Sequence, residues 1–160
     1  MGADESEISE PRIDYTNEHQ DAISGLGTIE TFVGRSDLEA SLTHLVKLRA
    51  SQINGCAFCI DMHTKDARAD GETEQRLYAL DAWHEAPFYT DRERAALAWT
   101  EALTTVADNH VPDDLYRDVR EHFSERELVV LSMAIVAINA WNRLSIGFRT
   151  VPGTYEPDDD

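Results

Sequence analysis

Basic residues are scarce in this sequence of 160 residues. Its 14 lysines and arginines are outnumbered by 31 aspartates and glutamates, which gives a formal net charge of −17 at pH 7. Such an acidic surface repels the phosphates of nucleic acids and of anionic lipids. The composition therefore argues against nucleic acid and membrane surfaces as partners. An acidic surface on an otherwise globular composition is also typical of halophilic proteins, in which salt screens the repulsion between carboxylates.

Long apolar runs are missing as well. The most apolar stretch, residues 128–138, is too short to cross a bilayer and contains Ser132, so it predicts a buried helix. The N-terminus is acidic and has no hydrophobic region, so we expect no signal peptide and a cytoplasmic location. Without a long linker, the chain is expected to form one domain over residues 1–160, with a mobile acidic tail at about 1–11 and a solvated end at 158–160.

Alternating strand patterns of useful length are absent, and the periodic segments favour helices, so the expected fold class is all-α. Thr90 with Glu93, and Ser124 with Glu127, match the pattern of a capping box at a helix start. Asn54-Gly55 predicts a helix end followed directly by a new helix. The expected helices cover residues 18–25, 37–53, 56–69, 73–83, 90–105, 112–122 and 124–143.

Cysteine occurs only twice, at Cys56 and Cys59, and His63 follows four residues after the second. On a helix these three side chains share one face, and the two cysteines lie within disulfide range. A thiol needs a lowered pKa to become a nucleophile, and a helix dipole contributes only about 0.3–1 kcal/mol. We therefore expect His63 to be the dominant activator, either as an imidazolium beside the thiolate or as a neutral base that accepts the thiol proton.

Two other interpretations of this cluster stay open. His44, Cys56, Cys59 and His63 have the ligand types of a structural zinc site, although zinc-binding cysteine pairs usually sit in knuckles rather than along a helix. Two inert, buried cysteines also fit, because free cysteine is among the most buried residue types. The leading interpretation, a redox dithiol, requires neither a metal nor a cofactor.

Residues 45–64, which contain both cysteines and His63, resemble the core of the AhpD-like alkylhydroperoxidase and carboxymuconolactone decarboxylase superfamily, on its cysteine-bearing branch. Similar segments at 72–77, 88–97, 138–143 and 151–155 extend the resemblance over most of the chain after about residue 36, with the core at about 36–110. The resemblance implies an AhpD-like helical bundle built around a paired-helix core. It also implies a homo-oligomer of trimer or hexamer size and thiol-dependent peroxide reduction.

The resemblance also implies individual roles. Cys59 would become the sulfenic acid, Cys56 would resolve it as a disulfide, and His63 would relay protons. An external dithiol, for which the family suggests a lipoyl type, would reduce the pair again. The helix dipole alone would instead favour Cys56 as the more acidic thiol. His44 stands twelve residues before Cys56, where the family usually has a relay glutamate, and both a relay role and a structural role remain open for it. A carboxymuconolactone-type decarboxylase is a third possible function, and that chemistry needs no vicinal dithiol.

The acidic composition predicts that stability rises with salt. A net charge of −17 opposes compaction, and ions shorten the Debye length from about 10 Å at 0.1 M to about 3 Å at 1 M. We expect the melting temperature to increase from low to molar KCl. Chloride is preferred to sulfate, which would also strengthen apolar burial, and a flat or falling curve would contradict the halophilic interpretation.

Overall fold

The computed structural model describes residues 9–158, and over that range the chain forms helices and turns without any strand. The elements in chain order are α1 (Tyr15–Glu18), α2 (Gln20–Gly34), α3 (Ala40–Asn54), α4 (Ala57–Ala69), α5 (Glu74–Tyr78), a 3₁₀ turn (Leu80–Ala82), α6 (Asp91–Thr104), α7 (Val106–Asn109), α8 (Asp113–Arg120) and α9 (Glu125–Phe148). The expected all-α fold class is confirmed. Residues 1–8 of the predicted acidic tail and residues 159–160 of the predicted solvated end lie outside the described range.

Helix α3 lies at the centre of the fold and packs against α4, α6 and α9. Its Leu45 and Leu48 enter a cluster with side chains of α5, α6 and the 3₁₀ turn, while Val46 enters a second cluster with side chains of α9. Leu45 and Val46 have no exposed surface. Each such side chain contributes about 1.5–3 kcal/mol through burial, so α3 is held from two sides and gives a rigid base for the helix that follows.

Both predicted capping boxes are confirmed. Thr90 Oγ1 accepts from the Glu93 N–H at 3.2 Å, and Glu93 Oε2 accepts from the Thr90 N–H at 2.8 Å. Ser124 and Glu127 make the same reciprocal pair at 3.2 and 2.8 Å. These contacts satisfy backbone donors that a helix leaves without partners in its first turn. They fix the starts of α6 and α9.

The first and the fourth expected helices have different bounds in the structure. Helix α2 continues to Gly34 rather than ending at Gly25, because interior glycines weaken a helix without forcing it to end. The expected helix over residues 73–83 changes to a 3₁₀ turn after Tyr78. Leu77, Leu80 and Trp83 are all buried there, and a spacing of three residues suits the three residues per turn of a 3₁₀ helix.

Helices α8 and α9 also differ from the predicted ranges. Pro112, expected at the first position of its helix, lies one residue earlier as the N-cap, and α8 ends at Arg120 rather than His122. Helix α9 runs past the expected end near Arg143 to Phe148. By length and composition α9 would be long enough to cross a membrane. It packs instead inside the fold against α2, α3, α4 and α6.

A buried polar network joins the end of α3 to the middle of α9. The Asn54 side-chain amide donates to the Oδ1 atoms of Asn139 and Asn142, at 3.0 and 2.9 Å. Asn142, which has no exposed surface, donates in turn to Ser51 Oγ at 3.1 Å. Because buried polar groups are costly when unpaired, these contacts specify where α3 ends relative to α9.

Replacing Asn142 by alanine should lower the free energy of unfolding by about 1–3 kcal/mol, because Asn54 and Ser51 lose a buried partner. Chemical denaturation is the measurement, and Gln75→Ala, which truncates an exposed amide on α5, is the matched control. Equal stability of the two variants would contradict a structural role for the network.

Candidate active site

The turn between α3 and α4 places the first cysteine. Gly55 adopts the left-handed conformation, with φ of 70°, which glycine tolerates at little cost. Cys56 follows as the N-cap of α4, and its Sγ accepts from the Cys59 N–H at 3.3 Å. The predicted helix start at Cys56 was therefore one residue too early, because Cys56 uses its side chain to cap the helix instead of joining it.

Cys56 and Cys59 are joined as a disulfide, with their Cα atoms 5.3 Å apart. The capping position of Cys56 thus keeps the two sulfurs within bonding range, as the spacing predicted. Both side chains are almost completely buried, with 1% and 3% of their surface exposed. They pack in a small cluster with Ile138 of α9, next to Phe58 and Trp141.

A cavity of about 580 Å³ opens beside the dithiol. Cys59 and His63, one helical turn apart on α4, are in its wall, whereas Cys56 is not. The volume lies in the range of small-molecule sites. The apolar and aromatic part of the wall consists of Pro11, Ile13, Tyr15, Phe58, Met62, Trp141, Val151 and Tyr155.

His63 is 9% exposed. Burial, followed by the positive charges of Lys47 and His44, lowers its pKa from 6.5 to about 3. Of the two activating forms considered from the sequence, the imidazolium is therefore absent at neutral pH. The neutral imidazole is the form present at neutral pH, so it can relay a proton from a thiol but does not hold it.

Asp66, three residues beyond His63, forms its hydrogen bond with another residue of the wall. Its Oδ1 accepts from the Tyr155 hydroxyl at 2.6 Å, whereas its Oδ2 lies 3.9 Å from His63 Nδ1, too far for a hydrogen bond. The contact with Asp66 raises the pKa of Tyr155 to about 12. Asp66 therefore holds the C-terminal segment in place and does not orient the imidazole directly.

The C-terminal segment lies along the outer side of α4. The Gly153 N–H donates to Asp61 Oδ2 at 3.0 Å, and Lys65 Nζ donates to the Tyr155 carbonyl at 2.7 Å. Thr150, Val151 and Tyr155 of this segment are also in the cavity wall. The segment thus closes one side of the cavity.

His44 lies in the cavity wall, as its place in the predicted relay required. Its Nε2 is 2.5 Å from Asp70 Oδ2, and no hydrogen bond joins it to His63 among the described residues. The structure therefore brings His44, Cys59 and His63 to one cavity. The imidazole of His44, however, is bound to a carboxylate outside the wall.

Sequence reasoning missed two residues in the wall, Lys47 of α3 and Glu30 of α2, whose Nζ and Oε2 are 2.5 Å apart. Lys47 stands three residues after His44, so a shared helical face would have indicated it. Nothing in the spacing indicates Glu30, because its contact depends on how α2 packs. Trp141 is also in the wall, whereas Trp83 and Trp99 are buried.

Comparisons with known proteins agree with this geometry. The profile of the Carboxymuconolactone decarboxylase family matches residues 17–102, which include α3, α4 and the dithiol. The chain belongs to this family. The uncharacterized protein YdfG of Bacillus subtilis is 46% identical over 135 residues, 84% of this chain and 92% of YdfG.

Solved structures extend the comparison to the fold. The Agrobacterium tumefaciens protein ATU0492, of unknown function and suggested to be the antioxidant defence protein AhpD, is 44% identical, with a TM-score of 0.85 over 94% of this chain and 100% of its own. The debrominase Bmp8 has a TM-score of 0.78 over 87% of this chain and 74% of its own, at 17% identity, which shows a common fold alone. The predicted membership in the AhpD-like superfamily is confirmed.

The low pKa of His63 predicts a pH-dependent loss of stability. Below about pH 6.5 the unfolded chain protonates this histidine, whereas the folded chain does so only near pH 3. The unfolded state therefore binds more protons in that window, and the free energy of unfolding falls as pH decreases, by up to about 1.4 kcal/mol per unit. The stability of wild-type protein relative to His63→Gln should thus decrease from pH 7 to pH 4.

Denaturation of both proteins across this pH range is the measurement. The other titratable groups are the same in the two proteins, so their effect cancels when the two free energies of unfolding are subtracted. His19→Gln, which removes an exposed histidine between α1 and α2, is the matched control. Parallel stability curves for wild type and His63→Gln would show that His63 is not held neutral by burial.

Proposed function

We propose that this protein is a thiol-dependent peroxidase of the alkylhydroperoxidase type, acting in the cytoplasm through a dithiol–disulfide cycle of Cys56 and Cys59. One observation carries the proposal: Cys59 and a neutral His63 share the wall of a cavity, while Cys56 lies behind Cys59 within disulfide range. This arrangement supports Cys59 as the attacking thiol, because it can meet a bound molecule, and Cys56 as the resolving thiol.

The first half-reaction consumes the peroxide. As the Cys59 sulfur attacks one oxygen of the peroxide bond, its proton leaves through the neutral His63 imidazole. The O–O bond breaks, Cys59 becomes a sulfenic acid, and the leaving oxygen takes the proton from His63 to form an alcohol or water. The sulfur loses two electrons and the peroxide gains them.

The second half-reaction restores the dithiol. The Cys56 sulfur attacks Cys59, the S–O bond breaks, and water leaves as the disulfide forms. An external dithiol then reduces this disulfide through a mixed disulfide and leaves in its own oxidised form. A lipoyl-type dithiol is part of the proposal because the family resemblance implies it. No cofactor bound by the chain takes part in either step.

The shape of the cavity supports an organic peroxide as substrate. Its volume of about 580 Å³ far exceeds that needed for hydrogen peroxide, and Phe58, Met62 and Trp141 offer apolar surface near Cys59. His44 is proposed as a second member of the relay that acts on His63 by its charge, since no hydrogen bond joins the two imidazoles.

A homo-oligomer of trimer or hexamer size is also proposed. Phe32 of α2 and Val129 of α9 expose 50% and 61% of their surface and line one shared groove. Contiguous exposed apolar side chains of this kind mark surfaces that bind other proteins. A second copy of the chain is the partner that the family resemblance implies.

The two other functions have less support. Zinc binding would need His44, Cys56, Cys59 and His63 together, yet His44 is bound to Asp70, and residues 9–158 contain no group of three or more suitable side chains. Metal analysis of protein purified without chelator tests this, with about one zinc per chain as the contrary result. A decarboxylase would use the same cavity but would not require both thiols.

Serine replacements of the two cysteines should separate the functions. Cys59→Ser should abolish peroxide consumption and sulfenic acid trapping, because a hydroxyl cannot be oxidised in this way. Cys56→Ser should accumulate a persistent sulfenic acid on Cys59, because the resolving thiol is gone. Peroxide consumption with cumene hydroperoxide and dihydrolipoamide, and mass spectrometry of trapped protein, are the measurements.

The paired variants act as controls for each other, since both make the same change within four residues. Retained turnover in Cys59→Ser would overturn the assignment of the attacking thiol. Sulfenic acid found only on Cys56 of the wild-type chain would reverse the roles. Decarboxylation activity in both variants would favour the decarboxylase.

A further inference from the structure

Lys47 is the cation that faces the dithiol cavity. Its side chain is 17% exposed, and its Nζ lies 2.5 Å from Glu30 Oε2, whose side chain is 28% exposed. Both residues are in the same wall as Cys59 and His63. A partly buried pair of this kind is screened less by solvent than a surface salt bridge, so its charges act on the groups nearby.

The other ionisable groups around the cavity include carboxylates at three places: Asp14 before α1, Glu30 on α2 and Asp66 on α4. Two tyrosines, Tyr15 and Tyr155, also line the wall. Among the described residues of this wall, Lys47 is the one lysine or arginine.

The two histidines do not replace Lys47, because an imidazole is not a permanent cation near neutral pH. His63 is neutral, because burial lowers its pKa to about 3, and the Nε2 of His44 is directed at Asp70, which lies outside the wall. Burial without a compensating charge raises the pKa of a thiol, and Cys59 is only 3% exposed. A thiolate at Cys59 therefore requires a positive charge from elsewhere in the cavity.

We propose that Lys47 supplies the charge that stabilises the Cys59 thiolate and that Glu30, by pairing with Lys47, sets how much of this charge the thiolate feels. The two are positioning residues for the thiol chemistry. This inference deepens the proposed function but concerns the free thiol, so it can be tested without any peroxide.

The two partners should have opposite effects. Removing the cation leaves the thiolate with less compensation, so the pKa of Cys59 rises. Removing the Glu30 charge leaves Lys47 unpaired, so the pKa of Cys59 falls. A purely structural ion pair would instead disturb the site in the same direction whichever partner is lost.

The test uses reduced protein in the Cys56→Ser background, where Cys59 is the one remaining thiol. Thiolate absorbance in the ultraviolet, followed against pH, gives the pKa of Cys59. We expect an upward shift of about one unit for Lys47→Met and a downward shift of similar size for Glu30→Gln. The double replacement should give a pKa between those of the two single variants, because it removes both charges.

Charge-matched replacements on the exposed part of α8 and the turn after it, Arg117→Met and Glu121→Gln, control for net charge. Lys47→Arg keeps the cation and should stay near the parent value, and circular dichroism checks the fold of each variant. The proposal would be overturned if Lys47→Met and Glu30→Gln shifted the pKa of Cys59 in the same direction. It would also be overturned if neither shift exceeded those of Arg117→Met and Glu121→Gln.

The outcome is separate from that of the proposed function. Opposite shifts without peroxide turnover would uphold the charge pair and reject the peroxidase. Peroxide turnover that depends on Cys59, without opposite shifts of its pKa, would uphold the peroxidase and reject the charge pair.

Discussion

The site depends on one polar anchor, the contact of Asn54 with Asn139 and Asn142 at the end of α3. That anchor fixes the position of Gly55, whose left-handed backbone turns the chain directly into α4. Cys56 can then cap α4 with its sulfur, and Cys59 and His63 follow on the face of α4 that meets the cavity. Because α3 is packed on two sides, the anchor and the dithiol share a rigid base, which keeps the two sulfurs in range through a redox cycle.

The burial of the side chains around α3 and α4 has electrostatic consequences. A chain with a net charge of −17 carries most of its acidic groups on the outside, yet its cavity is largely apolar and contains one buried ion pair. Low solvent access keeps His63 neutral and makes the charge of Lys47 effective over a short distance. The same burial leaves only 1% of Cys56 and 3% of Cys59 exposed.

The sequence was enough to predict the helical class, both capping boxes, the end of α3 and the proximity of the two cysteines, because each depends on residues close in the chain. The extension of α2 and the 3₁₀ turn could not be predicted, because tertiary burial of Leu77, Leu80 and Trp83 decides the latter and packing decides the former. In the site, His63 was predicted from its spacing after Cys59 and His44 from the family resemblance, and both lie in the cavity wall. Glu30 was not, because it reaches Lys47 from a helix whose placement no local pattern encodes.

The fold itself does not select the reaction. The debrominase Bmp8 shares the architecture at 17% identity, which shows a common fold alone, so function must be argued from the side chains of the site. In this chain the position twelve residues before Cys56 holds His44 instead of the glutamate that its family resemblance leads one to expect there. Carboxylates of Asp14, Glu30 and Asp66 are still present in the cavity wall, and that of Glu30 is paired with Lys47. Under the proposed mechanism, the proton relay at His63 and the stabilisation of the thiolate by Lys47 are tasks of different helices, α4 and α3.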